Sequence, residues 1–316
     1  MLDDLQSAAS SHQPRLVIFG CGYLGARIAR EAIARGWTVW GVTRNADAVE
    51  QLSREGVHMV QGELSSDAWH ARLPEDEFEY VVNCVSSAGG GLPGYWASYV
   101  EGTQSILRWA ATRRCGTFVY TGSASVYAQH RGEVVTEDSP VGGRTEVAEP
   151  LLEAERLIRE SRCFRRWFIL RLTALYGPGR HYMLDQIRGG AGRFPGKGGN
   201  RLNVIHRDDA AAAVLACLDA PPAIADRIYN VSSDEAATKA DVAAWLARAV
   251  GAPPPLFGDS GARESGRLRG RSGPVPDRFV SNQRIRRELG WRPRFPDFRA
   301  GYRQVFVEEG IPVDLP

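Results

Sequence analysis

The chain has 316 residues, of which 43% are hydrophobic and 24% charged, as expected for one large globular domain with a smaller appended lobe. Its formal net charge of +2 is too small to favour nucleic acid or a membrane surface as a partner, and no apolar run approaches the roughly 20 residues that span a bilayer. The five cysteines are odd in number and lie mostly in apolar patterns, which predicts free thiols and a cytoplasmic protein.

Short β-rich runs alternate with helical patterns through the first half of the chain. Parallel strands need crossover connections, so this alternation predicts an α/β fold, a doubly wound parallel sheet of about seven strands with helices on both faces. The predicted elements are strand 15–20, helix 23–35, strand 37–43, helix 46–54, strands 57–61 and 80–85, helix 96–113, strand 117–121, helix 147–161 and strand 167–172.

Beyond residue 172 the sequence is richer in Gly, Pro and Arg. We expect a sheet domain over 14–175, to which 202–232 returns, and a smaller substrate-binding lobe formed by 176–201 and 233–316. The predicted elements in this half are loop 177–199, strand 202–205, helix 208–218, strand 227–231, helix 239–250, loop 253–276, and helices 282–289 and 298–308.

A G-x-G-x-x-G pattern lies directly between the first predicted strand and the first predicted helix. Gly20 would permit a tight turn, Gly22 would let the backbone approach a pyrophosphate, and Gly25 would let helix and strand pack closely. The pyrophosphate would then meet backbone N–H groups at a helix N-terminus. The pattern predicts a Rossmann-type NAD(P) site, although a merely structural glycine turn is the alternative. The predicted loop residues are Gly20, Cys21, Gly22, Tyr23, Leu24 and Gly25.

The end of the second predicted strand bears on which cofactor is bound. An NAD site usually has an acid here for the ribose hydroxyls, whereas an NADP site has a cation for the 2′-phosphate. The sequence reads Thr43-Arg44-Asn45, with no acid, and a guanidinium can bind a phosphate through two hydrogen bonds. We therefore predict a preference for NADP, with NAD as a second candidate; a solvated surface arginine is the alternative reading of Arg44.

Five segments of the chain, in order, carry a family resemblance. They are FVYTGSASVY at 118–127, LRLTALYGPG at 170–179, NVIHRDDAA at 203–211, YNV at 229–231 and RELGWRP at 287–293. Together they resemble the extended short-chain dehydrogenase/reductase family, whose members include NAD-dependent epimerases and dehydratases of nucleotide sugars. The likeness extends from about residue 15 to residue 303.

The resemblance implies further features of the cofactor and substrate sites. Glu63 stands where the family has an acid near the adenine ring, followed by Leu64, and Val85 and Ser86 stand at the strand end that lines the adenosine pocket. It also implies a small-molecule substrate, such as a nucleotide sugar, and a homodimer through the helices 96–113 and 147–161. Basic residues of the C-terminal lobe hold a diphosphate in the family, and candidates here are Arg263, Arg267, Arg269, Arg271 and Arg278.

The chain departs from the family in its catalytic residues. The family uses Asn, Ser or Thr, Tyr and Lys, and only Ser123 matches. The Asn position falls on Tyr99, and the Tyr and Lys positions fall on Val147 and Leu151. No Tyr-x-x-x-Lys sequence occurs anywhere in the chain. This pattern resembles an atypical branch of the superfamily.

Four residues are candidates for the missing proton donor. Tyr127 lies four residues after Ser123, Glu146 and Glu149 flank the vacated tyrosine position, and His181 lies in the loop where the family contacts its substrate. The alternatives are a supporting tyrosine, acidic partners of a helix N-terminus and a solvated histidine. The six histidines show no metal-ligand spacing. Two functions stay open. One is an NAD(P)(H)-dependent oxidoreductase or epimerase-like enzyme acting on a nucleotide sugar or related small molecule, and the other is a catalytically degenerate NADP(H)-binding regulator or sensor.

Overall fold

The computed structural model describes residues 13–87, 89–142, 145–258 and 275–314. The strands within these ranges are β1 (Arg15–Phe19), β2 (Thr38–Thr43), β3 (His58–Gln61), β4 (Phe78–Asn83), β5 (Cys115–Ser123), β6 (Glu133–Val135), β7 (Phe164–Leu172), β8 (Ala174–Tyr176), β9 (Arg193–Phe194), β10 (Val204–His206), β11 (Arg227–Val231), β12 (Leu256–Phe257) and β13 (Arg278–Val280). The helices there are α1 (Tyr23–Ala34), α2 (Ala46–Arg54), α3 (Gly91–Tyr95), α4 (Gly102–Ala110), α5 (Ala148–Glu160), α6 (Tyr182–Arg188), α7 (Arg207–Leu218), α8 (Lys239–Ala249), α9 (Gln283–Leu289) and α10 (Phe298–Glu308).

Seven strands form one parallel sheet in the order β11-β7-β5-β4-β1-β2-β3. The chain builds outward from β1 through β2 to β3, and then starts again on the other side of β1 with β4. All six neighbouring pairs are parallel. The predicted doubly wound α/β fold is confirmed. Such a sheet opens a crevice outside its carboxyl edge between the two central strands, here β1 and β4.

The central strand β1 is buried on both faces, as parallel strands usually are. Its successive side chains point to opposite faces of the sheet. Ile18 packs with Ile28 of α1 and Val214 of α7, whereas Phe19 packs on the other face with Trp109 of α4, with ring centroids 5.3 Å apart. Helices therefore cover both faces, and the ends of β1 and β4 meet at one edge.

The C-terminal lobe has its own apolar core. Leu184 of α6, Leu246 of α8 and Phe306 of α10 are buried together there. Three further pairs of short parallel strands lie outside the main sheet: β6–β13 joins this lobe to the segment after β5, β9–β12 lies within the lobe, and β8–β10 lies where the chain passes between the main sheet and the lobe. These strands have only two or three residues, which is too short for a periodic sequence signal. No helix in the described ranges is long and apolar enough to cross a membrane.

The predicted helix 96–113 differs from the structure in its start and its regularity. The segment begins earlier with α3, continues as a π-helical turn over Trp96–Glu101, and only then becomes α4. Gly94 lies so close to the preceding loop that an added Cβ would be 2.1 Å from the carbonyl oxygen of Gly89. The Gly-Gly-Gly-Leu-Pro-Gly sequence at 89–94 indicates a loop, yet close packing of glycine makes part of it helical.

We predict that Gly301→Ala destabilises the protein, because an added Cβ would lie 1.8 Å from the Tyr176 hydroxyl oxygen. Overpacking of this kind costs about 1–3 kcal/mol. Chemical denaturation should show that loss, and Gly192→Ala, where nothing lies within 4 Å, should show none. Tyr176→Phe removes a buried hydroxyl that has no hydrogen-bond partner in the described part of the chain, and it should restore part of the stability in the double variant. Equal free energies of unfolding for Gly301→Ala and Gly192→Ala would contradict this packing.

Candidate functional site

The turn between β1 and α1 requires glycine at two positions. Gly20 has φ +78°, and an added Cβ would lie 2.7 Å from the Val85 backbone nitrogen, so this turn packs directly on the end of β4. An added Cβ at Gly25 would lie 2.7 Å from the Gly20 carbonyl oxygen. These contacts allow the tight turn and the close helix–strand packing that dinucleotide loops need.

The third glycine leaves open space at the N-terminus of α1. A Cβ at Gly22 would meet no atom closer than 4.0 Å. Among the described residues no side chain caps α1, and its first turn contains no acidic residue. The first N–H groups of a helix lack partners within the helix, and the helix dipole favours an anion there. The residues present therefore fit a pyrophosphate approaching Gly22 and the N–H groups of Tyr23, Leu24 and Gly25.

Cys21 contributes backbone rather than a reactive thiol to this loop. Its side chain is fully buried, and its N–H donates to the Val42 carbonyl at 3.0 Å. Burial raises the pKa of the thiol to about 12, so the reactive thiolate is scarce near neutral pH.

Two charged side chains lie together at the ends of β2 and β3. The Arg44 Nη1 atom is 3.3 Å from Glu63 Oε2, and both side chains are half exposed. Asn45 caps α2 by accepting from the Ala48 N–H, and Thr43 Oγ1 in turn accepts from the Asn45 N–H. Leu64 is buried next to this pair. A 2′-phosphate at this edge would compete with Glu63 for the Arg44 guanidinium.

The end of β4 is fixed against the glycine loop. The Cys84 N–H donates to the Phe19 carbonyl at 2.8 Å, and Asn83 Oδ1 accepts from the Val85 N–H at 3.1 Å. Val85 and Ser86 thus follow the strand along the edge that faces the loop. Their position agrees with a wall for the adenosine half of a dinucleotide.

Ser123 ends β5 at the same carboxyl edge. Its Oγ accepts from the Ser125 N–H at 3.1 Å and caps a short 3-10 turn. The residue is partly exposed, and no group within the described ranges accepts a hydrogen bond from its hydroxyl. Ser123 can therefore donate a hydrogen bond to a substrate oxygen in the crevice.

The Tyr127 hydroxyl belongs to a buried hydrogen-bond network. It donates to Asn230 Oδ1 at 2.7 Å and accepts from Arg171 Nη1 at 3.0 Å. Arg171 makes a two-point ion pair with Glu155, at 2.9 and 2.7 Å. Burial raises the pKa of the Tyr127 phenol above its ordinary value, and the Arg171 charge opposes this rise. Because its hydroxyl is already engaged, Tyr127 links the segment after β5 to β7 and β11, and we do not assign it proton transfer.

Arg278 stabilises the segment that follows β5. Its guanidinium, buried, donates to the carbonyl oxygens of Ala124, Tyr127 and Gln129 at 2.6–3.1 Å. Because its guanidinium already donates to three carbonyl oxygens, we assign Arg278 to holding this segment in place and not to binding a diphosphate. The other four arginines of the predicted basic cluster lie outside the described residues.

His181 links two parts of the C-terminal lobe. The buried ring places Nε2 2.8 Å from Glu309 and Nδ1 2.8 Å from Asp185. Glu309 also accepts from the Gly179 N–H at 2.6 Å. The histidine therefore ties the 177–181 turn to the end of α10, so we do not assign it proton transfer either. Among the described residues no cluster of three His, Cys, Asp or Glu side chains could hold a metal.

Apolar packing surrounds Leu151, one of the two residues that the sequence analysis predicts at the family's Tyr and Lys positions. Leu151, on α5, is buried in a cluster with Ala124 and Val126, and Tyr99 packs against the same cluster. Val147 precedes the first turn of α5. Neither aliphatic side chain can exchange a proton, and the cluster leaves no place for a charged side chain at position 151.

Two arginines that the sequence analysis did not single out lie beside the glycine loop. Arg180 and Arg207 flank the Tyr23 ring, with guanidinium carbons 5.5 and 5.3 Å from its centroid. Burial raises the pKa of Tyr23 to about 12, and both arginines oppose the rise. The signal that could have found Arg180 is its place directly after the Gly-Pro-Gly turn at 177–179.

Comparison with known proteins finds one matching sequence family, similar proteins and a solved structure of similar fold. The sequence model described as the NAD dependent epimerase/dehydratase family matches residues 16–232. Protein YeeZ of Escherichia coli K12 is 28% identical over 90% of this chain and 97% of its own, and the 3-diazoavenalumate denitrifying reductase of a Streptomyces species is 29% identical over 90% and 98%. The solved structure of MoeE5 in complex with UDP-glucose and NAD is 20% identical, with a TM-score of 0.79 over 94% of this chain and 98% of that one.

We predict that Glu155→Ala destabilises the protein by about 3–5 kcal/mol, because it leaves the Arg171 charge buried and unpaired. The matched control is Glu153→Ala on the same helix, whose partner Arg156 is exposed and whose loss should cost under about 1 kcal/mol. Urea denaturation of both variants measures the difference. If Glu155→Ala lowers the free energy of unfolding no more than its control does, the buried ion pair does not stabilise this part of the structure.

Proposed function

This chain belongs to the NAD-dependent epimerase/dehydratase family, and we propose that it is an NAD(P)(H)-dependent oxidoreductase of a nucleotide sugar or related small molecule. The observation that carries the proposal is the glycine loop, which presents the uncapped N-terminus of α1 at the point where the strand order of the sheet reverses. We further propose that 14–175 with 202–232 form the cofactor lobe, and that 176–201 with 233–316 form the substrate lobe.

The relatives support the two halves of this proposal. The Streptomyces relative is named as a reductase, which supports redox chemistry on a small molecule. MoeE5 was solved with UDP-glucose and NAD, and its similar fold supports a nucleotide sugar as the substrate class. The free state of all five cysteines supports a cytoplasmic location. Dimerisation through α4 and α5 stays a prediction.

The chain's own residues have separate roles in the proposed reaction. The backbone at Gly22, Tyr23 and Leu24 binds the pyrophosphate, and Val85 lines the adenosine side. Ser123 orients a substrate hydroxyl or carbonyl by a hydrogen bond. When bound, the nicotinamide group supplies or accepts a hydride, a task that no side chain can perform. The buried network of Tyr127 and its partners holds the strand ends at fixed spacing.

We propose NADP rather than NAD as the preferred cofactor because of the charges at the ends of β2 and β3. Arg44 is the cation beside the proposed ribose site, and β2 ends without an acid. Glu63, 3.3 Å away, neutralises part of that charge and would repel a 2′-phosphate. We therefore expect Arg44 to strengthen the preference for NADP over NAD and Glu63 to weaken it.

A second candidate function is an NADP(H)-binding sensor without turnover. The burial of Leu151 at the family's lysine position favours it, because the cluster around Leu151 is complete without a catalytic side chain. This alternative keeps the cofactor site and omits proton transfer. Turnover that depends on a crevice residue would exclude it.

Fluorescence titration with NADPH and with NADH tests the cofactor proposal. We predict micromolar NADPH binding and NADH binding at least about tenfold weaker, a difference of roughly 1.4 kcal/mol. Arg44→Ala should weaken NADPH binding at least about tenfold and leave NADH nearly unchanged, since a hydrogen bond to a charged group is worth about 1.5–3 kcal/mol. Glu63→Gln should strengthen NADPH binding.

Arg54→Ala is the matched control, because Arg54 is an exposed α2 residue paired with Glu50. It should change neither titration. Equal losses of NADPH and NADH binding in Arg44→Ala would contradict the 2′-phosphate assignment. Absence of binding for both nucleotides would contradict the proposed function itself.

A further inference from the structure

We propose that Ser105 and Asp67 are positioning residues for the adenosine half of the cofactor, and that they act by anchoring the loop after β3 to α4. The proposal rests on the proposed function and deepens it, because it assigns part of the affinity for the dinucleotide to a cluster outside the glycine loop. We call Asp67, His70, Ser105 and Arg108 the Ser105 cluster. The sequence analysis assigns none of these four residues to a site.

The loop after β3 lies on the adenosine side of the proposed site. In dinucleotide folds the adenosine ribose meets the end of the strand that follows the glycine loop and its helix, here β2. Strand β3 pairs in parallel with β2 on the side away from β1, so the chain after Gln61 leaves the sheet at the same carboxyl edge. Arg44 after β2 and Glu63 after β3 lie 3.3 Å apart at that edge. An adenine ring beyond the ribose would therefore lie beside the loop 62–67.

Ser105 anchors this loop to α4 through hydrogen bonds. Its side chain is fully buried, and its Oγ lies 3.0 Å from the Ser66 carbonyl oxygen and 2.5 Å from Asp67 Oδ1. A carbonyl and an ionised carboxylate can only accept, so the Ser105 hydroxyl is the donor. Ser66 in turn closes a tight turn on Glu63, because its N–H and its hydroxyl both donate to the Glu63 carbonyl at 3.2 Å. The anchor therefore lies one tight turn away from Glu63.

Arg108 orients the Asp67 carboxylate toward Ser105. It lies three residues after Ser105 on α4 and donates to both Asp67 carboxylate oxygens, at 2.8 and 2.9 Å, a geometry that fixes the direction of the carboxylate. Hydrogen bonds from Arg108 and Ser105 hold the pKa of Asp67 well below its usual range, so the carboxylate is charged at neutral pH. Both side chains of the ion pair are about half exposed, so we assign it orientation rather than stability.

The Ser105 cluster has the residue types of a hydrolytic triad but not its geometry. In such a triad the histidine contacts the serine through one ring nitrogen and the carboxylate through the other. Here His70 Nε2 lies 3.0 Å from Ser105 Oγ and 3.3 Å from Asp67 Oδ1, so a single nitrogen faces both groups. Ser105 is also fully buried, which keeps a substrate carbonyl away from its oxygen. The geometry therefore suits holding a loop and not nucleophilic catalysis.

Apolar contacts hold the loop on both sides of this anchor. Leu64 is buried, and a Cβ added at Gly102 of α4 would lie 3.5 Å from the Leu64 Cβ, so the glycine lets helix and loop lie close together. On the other side the fully buried Trp69 ring lies 4.8 Å from the ring of Phe19, the residue before Gly20. The loop is thus held between α4 and the end of β1. Loss of the anchor should loosen the adenosine side and leave the glycine turn in place.

The test measures nucleotide binding by the full chain with Ser105→Ala. NADPH and NADH share the adenosine half, so we expect both to bind about three- to tenfold more weakly, the factor that loss of one hydrogen bond gives. The ratio of the two affinities should stay unchanged, unlike in Arg44→Ala. Acrylamide should quench the bound etheno-adenine analogue of NADP⁺ more strongly in the variant than in the unaltered protein, because a looser loop shields the adenine less.

Two further variants accompany Ser105→Ala. Asp67→Asn, at a half-exposed position where folding tolerates the change, should weaken both nucleotides in the same direction and by a smaller factor. Ser161→Ala is the matched control, because the Ser161 hydroxyl also donates to a backbone carbonyl, that of Ile158 at 2.9 Å, but at the end of α5. It should change neither the affinities nor the quenching.

The outcomes separate this inference from the proposed function. If the unaltered protein binds neither NADPH nor NADH, the proposed function fails. If it binds them, but Ser105→Ala and Asp67→Asn bind both as tightly and shield the etheno-adenine equally well, the positioning assignment is overturned. A lower Tm of these variants with unchanged affinities also overturns it, because the Ser105 cluster then serves stability alone.

Discussion

The close approach of Gly20 to the end of β4 is the contact on which the site depends. An atom added at Gly20 would collide with the Val85 backbone, so the first turn of the fold can form only without a side chain there. This contact brings the glycine loop, the end of β4 and the N-terminus of α1 to one place. Gly22, which has no side chain and so cannot cap α1, leaves open space at the N-terminus of the helix.

The sequence predicts the sheet and the glycine loop well because their signals are local. A buried parallel strand is a short apolar run, and a dinucleotide turn is a fixed spacing of glycines. The roles of Tyr127 and His181 could not be read in the same way. Their partners Asn230 and Glu309 are 103 and 128 residues away along the chain, so only the folded structure shows that both groups are engaged.

The chain has no Tyr-x-x-x-Lys sequence, and the position at which the resemblance predicts the lysine lies in apolar packing. Leu151 completes an apolar cluster in which a lysine would be buried without a partner. The π-helical turn brings Tyr99 to the same cluster, and the 177–180 turn brings Arg180 near the glycine loop. Neither the turn geometry nor the π-helical segment has a sequence signal strong enough to predict this arrangement.

The most direct measurement is a crystal structure of the protein grown with NADPH. The account predicts the pyrophosphate at the N-terminus of α1 beside Gly22, and the 2′-phosphate within hydrogen-bond distance of Arg44. It also predicts the nicotinamide ring in the crevice beside Ser123. A nucleotide bound elsewhere, or with its nicotinamide directed away from that crevice, would contradict the account.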